Sequence, residues 1–224
     1  MSDPSPAKAL LPAVQIAFIA AAAAAVFSFV TVTKEGELRR RCTALCSLRP
    51  EYAGADRKAP DFALKDMNGK ELRLSELRGK VVVMNFWTKT CNPCLKEMPA
   101  IAELAKVLRP KKDVALITVS TDEGPHEVKD LLHSLLGEEP PFPVLFDPDS
   151  KVVGGQFGTH LYPETWVIDQ RGIIRARFDG ARDWTSAAVV EVVEHIRGGG
   201  YCPVEIKDGK PRGEAAALCA ASSG

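Results

Sequence analysis

Val81-Val82-Val83-Met84-Asn85-Phe86-Trp87-Thr88-Lys89-Thr90-Cys91-Asn92-Pro93-Cys94-Leu95-Lys96-Glu97-Met98-Pro99 is the stretch that decides the fold. Its opening residues are β-branched and apolar without a regular polar alternation, as expected of a strand buried on both faces of a sheet. The residues after Cys91 read as a helix, so Cys91 stands at a helix start. There, unpaired N–H groups and the positive end of the helix dipole favour a thiolate over a thiol. Cys91 is therefore the candidate nucleophile. Cys94, one turn on, is placed to attack a mixed disulfide formed at Cys91 and release the substrate. Cys-x-x-Cys is also half of a zinc site, but a second ligand pair at matching spacing is absent from the sequence, so no metal or cofactor is called for.

Several further segments carry a family resemblance. Phe86-Trp87, Cys91-Asn92-Pro93-Cys94 and Pro99 resemble the thioredoxin superfamily. Ala59 to Phe62, Leu74 to Lys80, Pro143 to Asp147 and Tyr162 to Asp169 resemble its TlpA-like, ResA-like branch of membrane-anchored, exported thiol-disulfide oxidoreductases. The similarity runs from about Ala59 to Arg197. It implies a thioredoxin-like three-layer α/β/α sandwich with an N-terminal β-hairpin extension, preceded by one transmembrane helix. It implies that Pro163 is a cis-proline beside the redox pair and that Tyr162 offers backbone hydrogen bonds to an extended substrate. Trp87, Asn92 and Pro93 would complete the substrate-binding surface. Glu97, three residues after Cys94, would be a partly desolvated carboxyl that accepts or returns the proton of the resolving thiol. Two positions depart from thioredoxin itself: Asn85 stands where it has a buried aspartate, and Thr90 where it has a tryptophan. Glu97 then substitutes for the missing carboxylate, and the surface around Cys91 is opened.

The 224 residues allow one ordinary domain with appendages. The divisions expected are a short tail (1–9), a transmembrane anchor or uncleaved signal (10–33), a cysteine-containing helix and linker (34–58), a thioredoxin-like domain (59–197) and a cysteine-containing tail (198–224). A formal net charge of zero with no basic stripe argues against nucleic acid as a partner. Leu10 to Val32 is uncharged and long enough to cross a bilayer; a cleaved signal peptide, with small residues at Ala20 to Ala25, is the competing reading, against which Val26 to Val30 prolongs the stretch beyond a usual signal core. Lys34, Arg39, Arg40 and Arg41 follow the span while Lys8 precedes it, a count that would leave the domain in the cytoplasm. The surplus cysteines and the family resemblance point instead to an exported domain.

Those surplus cysteines are Cys42, Cys46, Cys202 and Cys219. On a helix, Cys42 and Cys46 would hold their β-carbons roughly 5–6 Å apart, too wide for a disulfide. Two bridges from this helix to the tail are the expected arrangement, with the partners open; the alternatives are a second redox pair, a four-cysteine metal site, or local Cys42–Cys46 and Cys202–Cys219 bridges if the helix is absent. Within the domain, Asp61 to Leu74 reads as a hairpin around Asn68-Gly69, Val114 to Ser120 as a buried strand and Gly124 to Leu136 as a helix. Val144 to Phe146 reads as a strand, Asp149 to Phe157 as a short helix, Glu164 to Phe178 as a hairpin and Ser186 to Ile196 as an amphipathic helix. His126, His133, His160 and His195 are scattered and form no ligand set.

Taken together, the residues and the resemblance lead to a membrane-anchored thiol-disulfide oxidoreductase on the inner (cytoplasmic) membrane, single-pass, with its catalytic domain in the periplasm or outside. Its partners would be exported protein thiols and disulfides, a membrane electron-donor protein, and the bilayer through residues 10–33. Reduction of exported proteins, for example during cytochrome c maturation, is the task the resemblance implies. The alternatives are a protein thiol oxidase of the same fold, a peroxiredoxin-like peroxidase using Thr88, and a non-enzymatic copper-binding module.

Overall fold

The computed structural model describes residues 6–52, 54 and 56–220. The first five residues of the 1–9 tail, Ala53 and Ala55 of the linker, and the last four residues of the 198–224 segment lie outside the described residues. Two compact units divide between Arg40 and Arg41.

The first unit is formed by α1 (Pro6–Leu48) up to Arg40. Residues 12–36 are all exposed, and the helix is long and apolar enough to cross a membrane. The sequence separated a 10–33 span from a cysteine-bearing helix, whereas the structure runs through both without a break. The junction holds no proline, a single Gly36 costs only about 1 kcal/mol in a helix, and Arg39 donates to Glu35 one turn back at 3.4 Å. Helix α1 stops where Arg49 enters the left-handed region at φ 49° ahead of Pro50.

The second unit, from Arg41 onward, is built on a seven-stranded mixed sheet. Its elements are β1 (Ala63–Asp66), β2 (Glu71–Arg73), a 3-10 turn (Leu74–Leu77), β3 (Val81–Trp87), α2 (Asn92–Leu108), β4 (Val114–Ser120), α3 (Pro125–Leu136), β5 (Val144–Phe146), β6 (Glu164–Ile168), β7 (Ile174–Asp179) and α4 (Ala187–Arg197). The strand order is β2-β1-β5-β4-β3-β6-β7. Strands β3, β4 and β5 run parallel, β6 and β7 are antiparallel additions, and the β1–β2 hairpin extends the other edge. This is the thioredoxin-like α/β architecture expected.

Strand β3 is buried along its whole length, which is why its sequence shows no polar alternation. Val82, Met84 and Phe86 point into an apolar core with Phe62, Val119, Phe157, Trp166 and Ile174. Asn85, on the opposite face, bonds to Glu97 of α2, so the cysteine helix covers that side and α3 packs beside it.

One expected helix is absent. Asp149 to Phe157 forms consecutive turns instead. The buried Asp147 carboxylate caps the segment by accepting from the N–H groups of Lys151, Val152 and Val153, but the bonds that follow mix helical spacing (Gly154 to Ser150, Gln156 to Val152) with wider spacing (Gly155 to Ser150, Phe157 to Val152), so no regular ladder forms. Gly154, Gly155 and the left-handed Gly158 remove any remaining incentive. Val152, Val153 and Phe157 still close this face of the core.

The C-terminal segment, read as a tail, is folded. Strands β8 (Glu205–Lys207) and β9 (Lys210–Arg212) form a hairpin, followed by α5 (Ala216–Ala220). The turn is Asp208-Gly209 with φ 54° and 68°, the positive pair that a tight hairpin needs. Cys42 is bonded to Cys202 and Cys46 to Cys219, which resolves the pairing that the sequence left open.

Candidate active site

Cys91 caps α2 with extended backbone (φ −89°, ψ 97°), and its sulfur accepts the Cys94 N–H at 3.1 Å. Pro93 lies in the first turn, where its missing N–H costs nothing because that donor would have no helical partner. Cys91 and Cys94 are joined as a disulfide with Cα atoms 5.3 Å apart. Cys91 is half-buried and Cys94 fully buried. The arrangement lets one sulfur meet a partner while the other stays behind it.

The loop before Cys91 is fixed from β4. Buried Asp122 accepts from the Thr88 hydroxyl at 2.9 Å, the Lys89 N–H at 2.8 Å and the Ser120 hydroxyl at 2.7 Å. The Cys91 N–H closes the turn on the Thr88 carbonyl at 3.1 Å. Sequence reading missed Asp122, whose only signal is a carboxylate immediately beyond a buried strand at the carboxyl edge of the sheet.

On the far side, β6 pairs with β3 so that Glu164 faces Phe86. Continuing that register brings Pro163 beside the end of β3, one short loop from Cys91. The Tyr162–Pro163 bond is cis, and Pro163 is buried. Tyr162 is half-buried against the core; Asn92 and Pro93 are exposed. Trp87 departs from its expected role. It is completely buried within β3, so it supports the loop from beneath and presents no face to a substrate. His160 is exposed ahead of this loop.

Glu97 is only 4% exposed. Its Oε2 accepts from the Trp184 indole N–H at 2.9 Å and the Arg182 main-chain N–H at 3.0 Å, and its Oε1 accepts from the Asn85 amide at 3.0 Å. The same amide also donates to Thr165 at 2.9 Å. Burial pushes the Glu97 carboxyl above its ordinary value, against the pull of these three donors and the Arg182 charge. Arg182, Trp184 and Thr165 were not legible beforehand. They lie 85, 87 and 80 residues from the groups they contact, and only the β6–β7–α4 return brings them back.

The raised carboxyl has a stability consequence. The folded chain holds the Glu97 proton to higher pH than the unfolded chain, so this contribution is complete below the ordinary glutamate range and is lost as pH rises through the folded value. Glu97→Gln keeps the contacts if the Asn85 amide turns over, because Asn85 Oδ1 has no partner among the described residues. Urea unfolding from about pH 4 to about pH 8 should show the wild type losing ground to Glu97→Gln as pH rises. A pH-independent difference would contradict the assignment.

Known proteins match this chain in the same region. A model of the AhpC/TSA family matches residues 55–177, more than half of the chain. The thioredoxin-like protein YneN of Bacillus subtilis is 32% identical over 119 residues, covering 53% of this chain and 67% of that protein. The thiol-disulfide oxidoreductase ResA of Bacillus anthracis is 36% identical over 116 residues, covering 52% and 64% respectively. The alignments therefore span about two thirds of the relatives' length. A solved structure described as thiol:disulfide interchange protein DsbE from Chlorobium tepidum superposes with a TM-score of 0.55 at 26% identity, covering 66% of this chain and all of that one. With a half-exposed cysteine capping α2 and bonded to a buried one in the shared region, the chain belongs to the AhpC/TSA family and is a ResA-like thiol-disulfide oxidoreductase of the thioredoxin superfamily.

Proposed function

We propose that the protein is a single-pass, membrane-anchored reductase of disulfides in exported proteins, with cytochrome c maturation as the implied setting. The observation that carries the reading is the pairing of a reachable Cys91 with a buried Cys94 one turn before the buried Glu97. In the reduced state, the Cys91 thiolate attacks a substrate disulfide, forming one S–S bond and expelling one substrate thiolate. Cys94 then gives its proton to Glu97 and attacks Cys91 Sγ. The Cys91–Cys94 bond forms as the Cys91–substrate bond breaks, the second substrate sulfur leaves as a thiolate that takes up the proton held by Glu97, and two electrons have passed to the substrate. A membrane electron donor returns the protein to the dithiol.

Pro163 and Tyr162 flank this chemistry, with Asn92 and Pro93 exposed at the entry. The apolar α1 supports anchoring through residues 10–33, and the Cys42–Cys202 and Cys46–Cys219 bridges support an oxidising compartment outside the inner membrane. A peroxidase reading would direct the Thr88 hydroxyl to Cys91, yet it donates to Asp122, which favours the disulfide reading.

Equilibration of the Cys91–Cys94 pair with glutathione redox buffers tests the direction of flow. A reductase should show a midpoint more negative than about −200 mV. A value near that of strong oxidases, about −120 mV, would reverse the arrow.

A further inference from the structure

We propose that Arg182 is a positioning residue that braces the buried Glu97 against the end of α1. The inference rests on the reading of Glu97 as the proton carrier for Cys94. Three elements meet at Arg182. Its Nη1 donates to the Leu48 carbonyl at 2.7 Å, its Nη2 to the Asp179 carbonyl at 3.0 Å, and its main-chain N–H to Glu97 Oε2 at 3.0 Å. Leu48 is the last residue of α1, so its carbonyl is among those that a helix end leaves without an internal partner. The guanidinium supplies that partner, with its charge at the negative end of the helix.

The fixed point is well anchored. Leu48 is buried, and the turns preceding it carry Cys42 and Cys46, bonded to Cys202 and Cys219. Arg182 also lies over the Phe178 ring, 5.1 Å from guanidinium carbon to centroid, and that ring stands edge-on to Trp184 at 5.6 Å. Both donors to Glu97 Oε2 therefore rest on a framework that the Arg182 side chain ties to α1. Leu48 and Arg182 both fall outside residues 55–177, the range matched by the family model.

The brace is electrostatic as well as mechanical. Around Glu97, β3 contributes the neutral Asn85, β6 stands behind it with Thr165, and the segment after β7 contributes Trp184 and Arg182. Arg182 supplies the cationic charge acting on Glu97, and Arg182 itself is faced by Asp179 and Glu51. Removing the guanidinium leaves the Glu97 carboxyl with burial less opposed, so it keeps its proton to higher pH.

The test is a titration of the Glu97 side-chain carboxyl by carbon-13 NMR in the full chain, its signal assigned by its loss in Glu97→Gln. Arg182→Gln should raise the midpoint by about one pH unit, a roughly tenfold change in proton affinity. Arg182→Lys, which keeps the charge but not the fork, should recover more than half of that shift and guards against a misfolded first variant. In parallel, the pH profile of disulfide reduction should move alkaline in Arg182→Gln and not move further in the Glu97→Gln background. An unmoved midpoint in a folded Arg182 variant overturns the brace. If the midpoint moves while Glu97→Gln leaves the rate profile unchanged, the brace stands and the proton-carrier reading fails.

Discussion

A Cys94→Ala variant should lose turnover by more than about a thousandfold, the scale on which removing a member of a covalent catalytic unit acts, and should accumulate partners linked through Cys91. The reason is division of labour. Cys91 caps α2 and is half-exposed, so it can be attacked and can attack; Cys94 is fully buried behind it. With Cys94 gone, the first exchange proceeds, but no sulfur within the chain can expel the captured thiol. Cys91→Ser should lose turnover by a similar factor without trapping anything. Non-reducing electrophoresis with mass spectrometry of the adducts separates the two variants. Equal trapping by Cys91→Ser would show that the roles are reversed.

The second large effect concerns the paired bridges. Each joins residues far apart in sequence, separated by 160 and 173 positions. Once Cys42–Cys202 is closed, Cys46–Cys219 closes a further loop of only roughly 20 residues and is worth about 3 kcal/mol in the chain-entropy model. The first bridge, closing a loop of 160 residues, is worth about 5 kcal/mol on the same estimate. Replacing all four cysteines by serine should therefore free the β8–β9 hairpin and α5. It should lower stability by several kcal/mol, while Cys91–Cys94 still forms. Chemical unfolding monitored by fluorescence, with protease sensitivity of residues 198–220, reads both effects. A quadruple variant as stable as the wild type would contradict a structural role for the bridges.

Much of this was legible in the sequence because it is local. The uninterrupted apolar run of β3, the Cys-x-x-Cys at its end and the turn signals at Asn68-Gly69 each follow from neighbours a few residues apart. Local reading failed where the outcome depends on how a segment is bonded and packed in three dimensions. Backbone bonds of mixed spacing over residues 150–157 leave turns where a helix was expected, and Trp87 sinks into the core because β3 is buried on both faces. The hairpin at Asp208-Gly209 carried a usable signal that the prevailing reading of residues 198–224 as a tail obscured. The surroundings of Glu97 had none. Asn85, Thr165, Arg182 and Trp184 converge through sheet register and the β7–α4 return, and no spacing along the chain announces that.

The most direct measurement mixes the chain, with Cys91 and Cys94 reduced and the other two bridges intact, with one equivalent of a model peptide disulfide at neutral pH, and maps thiols by mass spectrometry over time. The Cys91–Cys94 bond should form as the peptide disulfide is reduced in equal amount, with Cys42–Cys202 and Cys46–Cys219 unchanged. Free thiols persisting at Cys91 and Cys94 beside an intact peptide disulfide would contradict the proposed exchange.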